Sequence, residues 1–397
     1  MHGTPVARHA RREVNQIITF LIGCAYLLLA GAALYSVLAI VAVLSPLRSN
    51  GRPAACMPKA TVLKPLCGVD PETYGCLRSF CDQQYPEFQI VFGVAAADDP
   101  VVAVVHRLQR EFPLRDLRIV IDRRQHGSSR KVSNLINMMA EASHDYLVIA
   151  DSDVRVDDHY LAKVIAPLMD AGVGIVTCAY RGLSRGGIWS LMGSLFVNEW
   201  FTPSVYVAAK AGSRSFAFGA TIALRRDVLS QIGGFGVIAN QLADDYRLGE
   251  LTRNAGLRTV LSDVEVEVVV GGSSLGSLVQ HELRWLRTIR AVRPLAYSFC
   301  FITFGIPVLL LGALFSRGDA IAMTLLAIAT AARTLLHFKR RSSNTSIAQI
   351  ALVPFRDCLS LALWAWSFTN RRVKWRDEHY QVSADGSILP MRENLTI

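Results

Sequence analysis

The N-terminal part of the chain contains a stretch of 28 residues without a charged side chain, Ile17–Leu44. A helix needs about 20 apolar residues to cross the hydrocarbon core of a bilayer, so this stretch is long enough to span it with some tilt. Basic residues precede it, as in a secretory signal, but the apolar part of a signal peptide has only about 7–15 residues. The sequence therefore predicts a short tail (1–16) followed by a retained transmembrane anchor (17–44).

A second group of apolar stretches lies near the C-terminus, over residues 291–370. Three segments make up this group: Pro294–Phe315, Ala320–Phe338 and Ile347–Asn370. Positive charge favours the cytoplasmic side of a membrane, which predicts that both Lys339–Arg341 and the basic tail (371–397) face the cytoplasm. Three full spans do not allow this. Either the third segment is re-entrant or interfacial, or one of the predicted spans is wrong. Because the third segment carries Arg356 and Asp357, which are expensive in lipid, we favour the re-entrant or interfacial segment.

The composition agrees with a chain that lies partly in lipid. Apolar residues make up 51% and charged residues 19% of the sequence, which excludes a disordered chain. The net charge of +10 suits membrane topology and anionic headgroups. No nucleic-acid-binding motif accompanies it, so we expect no nucleic-acid partner. The eight cysteines form no CxxC pair, which indicates reduced thiols and neither a disulfide framework nor a zinc site.

Between the two apolar regions lies a water-soluble stretch, residues 45–290, long enough for one α/β domain. Short β-branched runs alternate in it with helical patterns, which predicts a mostly parallel mixed sheet covered by helices. The predicted strands are Ala60–Leu66, Gln89–Val94, Leu117–Ile121, Tyr146–Ala150 and Val173–Cys178, and the predicted helices are Thr73–Gln84, Val101–Phe112, Val132–Ala142 and Tyr160–Met169. In such sheets, ligands bind beyond the carboxyl ends of the strands.

Acidic residues follow two of these strands, at Asp98-Asp99 and at Asp151-Ser152-Asp153. One such turn alone most often caps the next helix. Two carboxylate groups at the same edge of a sheet repel one another, so together they indicate a hard divalent cation that also holds a diphosphate. Arg130 and Lys131 open the next helix, where they could meet the phosphates.

The ordered set of motifs resembles the inverting GT-A glycosyltransferases that act on nucleotide sugars, and most closely ceramide glucosyltransferase and its bacterial relatives, including the hopanoid-biosynthesis glycosyltransferases. The resemblance covers roughly residues 60–300. The matching motifs are Leu63-Lys64-Pro65-Leu66, Gly68-Val69-Asp70-Pro71, Asp98-Asp99-Pro100, Lys131 with Asn134-Leu135, Asp151-Ser152-Asp153, Arg225–Leu229 with Gly233-Gly234-Phe235, Asp244-Asp245-Tyr246 and Arg284-Trp285.

The resemblance implies a role for each matching position. Asp99 would contact the nucleotide at its uracil, and Lys131 would bind the nucleotide sugar. Asp151 and Asp153 would form the DxD site for Mg²⁺ or Mn²⁺ and the sugar diphosphate. Asp245 would be the catalytic base.

A further element, His281 with Arg284 and Trp285, occupies the place of the family's (Q/R)xxRW motif, which closes over the diphosphate and the acceptor. Histidine at its first position is a departure from the usual Gln or Arg. A neutral imidazole makes a weaker, pH-dependent contact to a phosphate, so this position can have changed its role.

The apolar segments and the basic residues beside them predict an integral membrane protein with a cytoplasmic catalytic domain, and the Ala- and Arg-rich composition favours a bacterial inner membrane. The resemblance implies that this protein is an enzyme. It would move one hexosyl unit, glucose or N-acetylglucosamine, from a UDP-sugar to a lipid hydroxyl of ceramide or of a hopanoid such as bacteriohopanetetrol. Two alternatives stay open. One is a processive polysaccharide synthase of the cellulose or hyaluronan type. Such an enzyme needs a channel that conducts the polymer, and the apolar segments of this chain are few for that. The other is a non-catalytic membrane scaffold, against which the complete carboxylate set argues.

Overall fold

A computed structural model of the chain describes residues 5–45, 57–272, 274–341, 347–375, 378–383 and 386–391. Its internal contacts divide the chain into two compact units. The membrane unit comprises residues 1–45 and 295–365, and the catalytic unit comprises residues 46–294 and 366–397.

The helices, in chain order, are α1 (Pro5–Leu44), α2 (Thr73–Cys81), α3 (Val101–Glu111), α4 (Arg130–Met138), α5 (Tyr160–Ile165), α6 (Ile188–Phe196), α7 (Thr202–Lys210), α8 (Arg226–Gln231), α9 (Asp244–Asn254), α10 (Leu275–Val292), α11 (Pro294–Ser298), α12 (Gly305–Phe315), α13 (Ala320–Arg340) and α14 (Leu352–Ser367). The strands are β1 (Ala60–Pro65), β2 (Phe88–Val94), β3 (Asp116–Ile121), β4 (Tyr146–Ile149), β5 (Val154–Arg155), β6 (Val173–Ser184), β7 (Ile222–Arg225), β8 (Arg258–Val270), β9 (Arg372–Trp375), β10 (Glu378–Val382) and β11 (Ile388–Pro390).

An eight-stranded mixed sheet forms the centre of the catalytic unit, in the order β3-β2-β1-β4-β7-β6-β8-β5. Strands β3, β2, β1 and β4 are mutually parallel, and β6 is parallel to β8. Strand β7 is antiparallel to both of its neighbours. This is the mixed, mostly parallel α/β sheet that the alternating pattern predicts. All five predicted strands are present, and β6 runs six residues beyond its predicted end, to Ser184.

Helices cover both faces of this sheet because successive residues of a strand point to opposite sides. On β1, Val62 packs with α2, α3 and α5 in one core cluster, whereas Leu63 packs with α4 and α9 in another. Both side chains are fully buried. Continuous burial on both faces is typical of parallel strands and explains why they read as uninterrupted apolar runs.

The strand directions bring the C-terminal ends of several strands to one edge of the sheet, which we name the functional edge. Strands β1, β2 and β4 all end at the same edge because they are parallel. Strand β7 is antiparallel to β4, and its first residue, Ile222, pairs with the last residue of β4, Ile149. The turn before β7 and the turn after β4 therefore lie side by side.

A second, three-stranded antiparallel sheet is formed by the C-terminal segment, in the order β11-β10-β9. Its apolar side chains Val373, Tyr380, Val382 and Ile388 pack with Leu242, which precedes α9. The residues predicted as a tail therefore include a folded part of the catalytic unit.

The membrane unit contains the apolar helices predicted at both ends of the chain. Three helices of the described residues are long and apolar enough to cross a membrane: Glu13–Leu44, Ala320–Arg340 and Gln349–Ser367. The uncharged stretch Pro294–Phe315 differs from a single span, because a 3₁₀ turn at Cys300–Thr303 divides it into α11 and the 11-residue α12.

Contacts within the membrane unit show how these helices run. Gly305 lies against Ser36 and Gly312 against Leu29, so α12 is antiparallel to α1. The Tyr26 hydroxyl donates a 2.6 Å hydrogen bond to Asp319, at the turn between α12 and α13. Helices α12 and α13 therefore form a hairpin beside α1.

Helix α14 lies across the open end of this hairpin. Its Asp357 carboxylate forms a buried ion pair with Arg333 in the second half of α13, at 2.6 Å. Seven residues later, the Trp364 indole N–H donates to the carbonyl oxygen of Tyr297 in α11, at 3.0 Å. These two contacts join opposite legs of the hairpin. The ion pair also explains how the Asp357 carboxylate is accommodated in an apolar helix.

Candidate active site

The turn after β4 carries Asp151 and Asp153, and a buried lysine holds its backbone. The Lys64 ammonium on β1 donates a 2.6 Å hydrogen bond to the carbonyl oxygen of Asp151. It also lies 3.8 Å from the centre of the Phe80 ring. Burial lowers the pKa of Lys64 to about 8, although the carboxylates of Asp151 and Asp153 favour its charged form. Lys64 is fully buried, and it thus fixes the backbone of the acidic turn from inside the core.

Lys131 connects this turn to the start of α9. Its ammonium nitrogen lies 2.7 Å from Oδ1 of Asp151 and 3.3 Å from Oδ2 of Asp244. Burial lowers the pKa of Lys131, but the two carboxylates outweigh it and raise the pKa above its usual range. The lysine is brought here by α4, whose N-terminus is capped by the Ser129 side chain. This cation offsets the mutual repulsion of the acidic residues.

Asp245 is held by two backbone amides. The N–H of Gly219 donates to its Oδ2 and the N–H of Tyr246 donates to its Oδ1, both at 2.7 Å. Burial and the neighbouring charge of Asp244 raise the pKa of Asp245 to about 6, while Lys131 acts in the opposite direction. A raised pKa at a site lined by other charges is typical of an acid–base residue.

Gly219 is the point where these groups converge. A Cβ atom at this position would lie 3.2 Å from Oδ2 of Asp151, 3.3 Å from Nζ of Lys131 and 3.4 Å from Oδ2 of Asp245. The absence of a side chain leaves space among the three charged groups. The turn before β7 therefore completes the site formed by the turn after β4.

Helix α10 contributes the His281, Arg284 and Trp285 element. Burial lowers the pKa of Arg284, and the charges of Asp151, Asp153, Asp244 and Asp245 act in the opposite direction, so the guanidinium lies within electrostatic range of the acidic cluster. Crowding by protein atoms and the charge of Arg284 lower the pKa of His281 to about 4, so its imidazole is neutral near pH 7.

Trp285 anchors this element in an aromatic cluster. Its ring lies 5.5 Å from that of Phe201 and 6.3 Å from those of Tyr180 and Phe196. The ring of His281 lies 5.3 Å from the same indole. The imidazole is therefore positioned by the tryptophan, and its side chain remains open to solvent.

Asp99 stands in the loop after β2, next to the loop after β1. Its carboxylate accepts hydrogen bonds from the backbone N–H of Gly68, at 2.8 Å to Oδ2, and of Val101, at 2.9 Å to Oδ1. In the described part of the chain, these contacts tie together two loops of the functional edge, and Asp99 makes no direct contact with Asp151 or Asp245.

The acidic turn has the chemistry of a divalent metal site. Crowding by protein atoms and the charge of Asp151 raise the pKa of Asp153 to about 6, although its side chain is open to solvent. Carboxylate oxygens such as those of Asp151 and Asp153 are ligands that Mg²⁺ and Mn²⁺ prefer. No group of three or more metal-ligating side chains occurs among the described residues.

The structure gathers most of the predicted site residues and adds two. Asp151, Asp244, Asp245 and Lys131 lie together, with Arg284 within electrostatic range of them. Arg130, also expected to meet phosphates, instead pairs with Glu378 on β10. Gly219 belongs to no motif, because only its place before an antiparallel strand brings it here. Lys64 stands in a matching motif, but its role depends on burial, which the motif does not show.

The chain is similar to known glycosyltransferases. The family model described as Glycosyl transferase family 21 matches residues 20–388. Ceramide glucosyltransferase 3 of Caenorhabditis elegans is 22% identical over 242 residues, which are 60% of this chain and 52% of that protein. Ceramide glucosyltransferase of Komagataella phaffii is 35% identical over 112 residues, 27% of this chain and 22% of that protein. The chain thus spans about half, or less, of the length of these two relatives.

Among solved structures, a mannosyltransferase from Pyrobaculum calidifontis, in complex with GDP-Man and Mn²⁺, has a similar fold. Its TM-score is 0.51 at 19% sequence identity, and the match covers 89% of this chain and 94% of that one. At this level of identity the likeness concerns the fold alone, and it agrees with the predicted GT-A architecture.

Proposed function

The chain belongs to Glycosyl transferase family 21, and on this premise we propose that it transfers one hexosyl unit from a UDP-sugar to a hydroxyl group of a membrane lipid, with inversion at the anomeric carbon. The sugar is glucose or N-acetylglucosamine. The acceptor is ceramide or a hopanoid such as bacteriohopanetetrol. The similarity to ceramide glucosyltransferases supports a lipid acceptor, and the Ala- and Arg-rich composition supports a bacterial source and hence the hopanoid.

One observation carries the proposal: the carboxylate of Asp245 lies beside the Lys131–Asp151 ion pair around Gly219. A transfer of this kind needs a base for the acceptor next to positive charge for the leaving diphosphate. Both are present at the functional edge of the sheet.

Asp245 is the proposed base. A lipid hydroxyl is a poor nucleophile near neutral pH, so its proton must leave as the new glycosidic bond forms. The amides of Gly219 and Tyr246 fix the two carboxylate oxygens, and each oxygen keeps a lone pair for the acceptor. With a pKa of about 6, the group is mostly ionised at pH 7 and still basic enough to take a proton. One base and one displacement give inversion.

Positive side chains stabilise the departing UDP in this mechanism. Negative charge grows on the diphosphate as the bond to the sugar breaks, and preorganised cations lower the energy of that state. Arg284 on α10 lies within electrostatic range of the acidic cluster, and Lys131 contacts the cluster from α4. Asp99, on the adjacent loops, is the proposed contact of the uracil.

Asp151 and Asp153 would hold Mg²⁺ or Mn²⁺. Such an ion, when bound, supplies a Lewis acid that neutralises charge on the diphosphate. Without it, the two carboxylates would repel the donor, so the turn itself argues for a cation.

The proposed location is the inner membrane, with the catalytic unit in the cytoplasm, where UDP-sugars are made. Because α12 and α13 form a hairpin, Lys339–Arg341 at the end of α13 return to the side from which α11 started. The contacts of α14 with Arg333 on α13 and Tyr297 on α11 support a placement of both its ends on that side. The basic residues then all face the cytoplasm, as the charge rule requires.

The test is a transfer assay with the purified full chain in lipid nanodiscs. UDP-glucose and UDP-N-acetylglucosamine are each offered with ceramide and with bacteriohopanetetrol, and products are identified by mass and anomeric configuration. We expect one lipid product carrying a single sugar. A polymeric product would instead support a polysaccharide synthase, and UDP binding without any product would support a scaffold.

A further inference from the structure

The C-terminal sheet is bonded directly to the segment that leads into Asp244 and Asp245. The N–H of Ile388 on β11 donates to the carbonyl oxygen of Asn240, at 2.8 Å. Two residues further along, the N–H of Leu242 donates to the carbonyl oxygen of Gly386, at 3.1 Å. The segment 239–243 therefore pairs with residues 386–388 and extends this sheet beyond β11.

The same segment is bonded on its other side to the loop that leads into α4. The side-chain oxygen Oδ1 of Asn240 accepts a hydrogen bond from the N–H of Ser128, at 2.9 Å. The carbonyl oxygen of Ala239 accepts one from the N–H of Ser129, at 2.8 Å. The two loops are also in close contact at Gly127, where a Cβ atom would lie only 2.5 Å from the Ala239 oxygen.

These bonds stand close to the catalytic groups along both chains. Ser128 precedes Lys131 by three residues, and Asn240 precedes Asp245 by five. The ion pair between Lys131 and Asp244 joins the same two elements inside the site. Outside the site, the Asn240 side chain therefore adds to the links between the two elements, beside the backbone bond from Ser129 to Ala239.

We propose that Asn240 is a positioning residue for Lys131 and Asp245, and that the C-terminal sheet holds it in place. Its side chain fixes the loop before α4, and its backbone is fixed by β11. A shift of about 1 Å at a reacting group can lower a rate about 10²-fold, so a bond at this place influences turnover without touching the substrate. The kinetic part of this inference rests on the proposed function. The structural part does not.

The first experiment measures backbone hydrogen exchange in the full chain with Asn240→Ala. We expect the N–H groups of Gly219 and Tyr246, which donate to Asp245, to exchange about fivefold faster, as for the loss of one hydrogen bond. Asn240→Asp keeps an acceptor oxygen and should restore slow exchange. The matched control is Asn254→Ala, because Asn254 is exposed at the end of α9.

A second pair of variants tests the sheet. Ile388 is fully buried against Leu242, whereas its neighbour Leu389 is 59% exposed. Ile388→Ala should therefore increase exchange at Tyr246, and Leu389→Ala should leave it unchanged. This pair also separates loosening of the sheet from loss of the Asn240 side chain.

Kinetics of the same variants complete the test. Asn240→Ala should lower kcat for lipid glycosylation about tenfold, with the KM for the UDP-sugar nearly unchanged, and Asn240→Asp should recover most of the loss. Exchange at Gly219 and Tyr246 and a kcat that both match the unmodified protein would overturn the inference. If the unmodified protein transfers no sugar but the exchange changes as expected, the proposed function fails and the positioning role stands.

Discussion

The backbone N–H of Gly219 donates a 2.7 Å hydrogen bond to Oδ2 of Asp245. The two residues are 26 positions apart, Gly219 in the turn before β7 and Asp245 at the start of α9. The bond fixes one carboxylate oxygen, and the missing side chain of Gly219 leaves the space beside it open.

Gly219→Ala should impair turnover while the protein stays folded. The added Cβ would come within 3.2–3.4 Å of Asp151, Lys131 and Asp245. Either these charged side chains shift to make room for it, or the substrate binds in a displaced position. We expect kcat to fall by about 10²-fold, the size of effect known for small misplacements at a reacting centre. Gly236→Ala is the matched control, since nothing lies within 4 Å of a Cβ there. Normal turnover of Gly219→Ala would show that this space is not part of the site.

Asp245→Asn and Asp244→Asn should differ sharply. Loss of a general base typically costs about 10²–10⁴-fold in rate, and Asp245→Asn should lose that much lipid glycosylation with donor affinity nearly unchanged. Asp244 contacts Lys131, which keeps its pairing with Asp151, so Asp244→Asn should retain most activity. Transfer assays and UDP-sugar titrations of both variants check this. The opposite pattern would assign the base to Asp244.

Much of this arrangement could be predicted from the sequence, because parallel strands place their C-terminal turns at one edge. The buried runs that became β1, β2 and β4 put Asp99 and Asp151 at that edge before any side-chain contact was known. The resemblance to known motifs then added Asp245 and the α10 element. Local patterns were sufficient for these residues because each of them lies within, or directly after, a strand or helix that its neighbours in the sequence predict.

The remaining parts of the site depend on contacts between distant segments. Gly219 is recognisable only once β7 is known to run antiparallel beside β4. Arg130 and Lys131 are adjacent, yet one pairs with Glu378 and the other with Asp151, since neighbouring residues on a helix point in different directions. The C-terminal sheet packs around Leu242 through pairings that no local pattern encodes.

The acidic turn should make turnover depend on a divalent metal. Asp151→Asn and Asp153→Asn should each raise the concentration of Mn²⁺ or Mg²⁺ needed for half-maximal activity. We expect Asp153→Asn to have the larger effect, because Asp151 is also paired with Lys131. Titrations of UDP-sugar hydrolysis with Mn²⁺ or Mg²⁺ measure the half-maximal metal concentration of each variant. Full activity of the unmodified protein in excess EDTA would contradict a metal role for this pair.

The activity should fall as the pH drops through about 6. Transfer needs the ionised form of Asp245, whose pKa is raised to about 6, so protonation removes the base at a pH where an ordinary aspartate is still charged. Since the charge of Asp244 contributes to this rise, Asp244→Asn should move the acidic limb of the kcat profile to lower pH. Profiles measured at saturating donor and metal test the shift. If the acidic limb of Asp244→Asn stays at the same pH, the loss of activity belongs to a group other than Asp245.

The membrane arrangement predicts opposite accessibility for two exposed positions. Leu114 lies on the surface of the catalytic unit and is 98% exposed, whereas Arg317 lies in the turn between α12 and α13. A cysteine replacing Leu114 should react with an impermeant maleimide only after the cytoplasmic face is opened, because the proposed reaction uses cytosolic UDP-sugars. A cysteine replacing Arg317 should react in intact cells, since the hairpin carries its turn away from the side of Lys339–Arg341. Replacing all eight native cysteines by serine provides a silent background. Labelling of the Leu114→Cys variant from outside would place the catalytic unit on the opposite face and contradict the proposed topology.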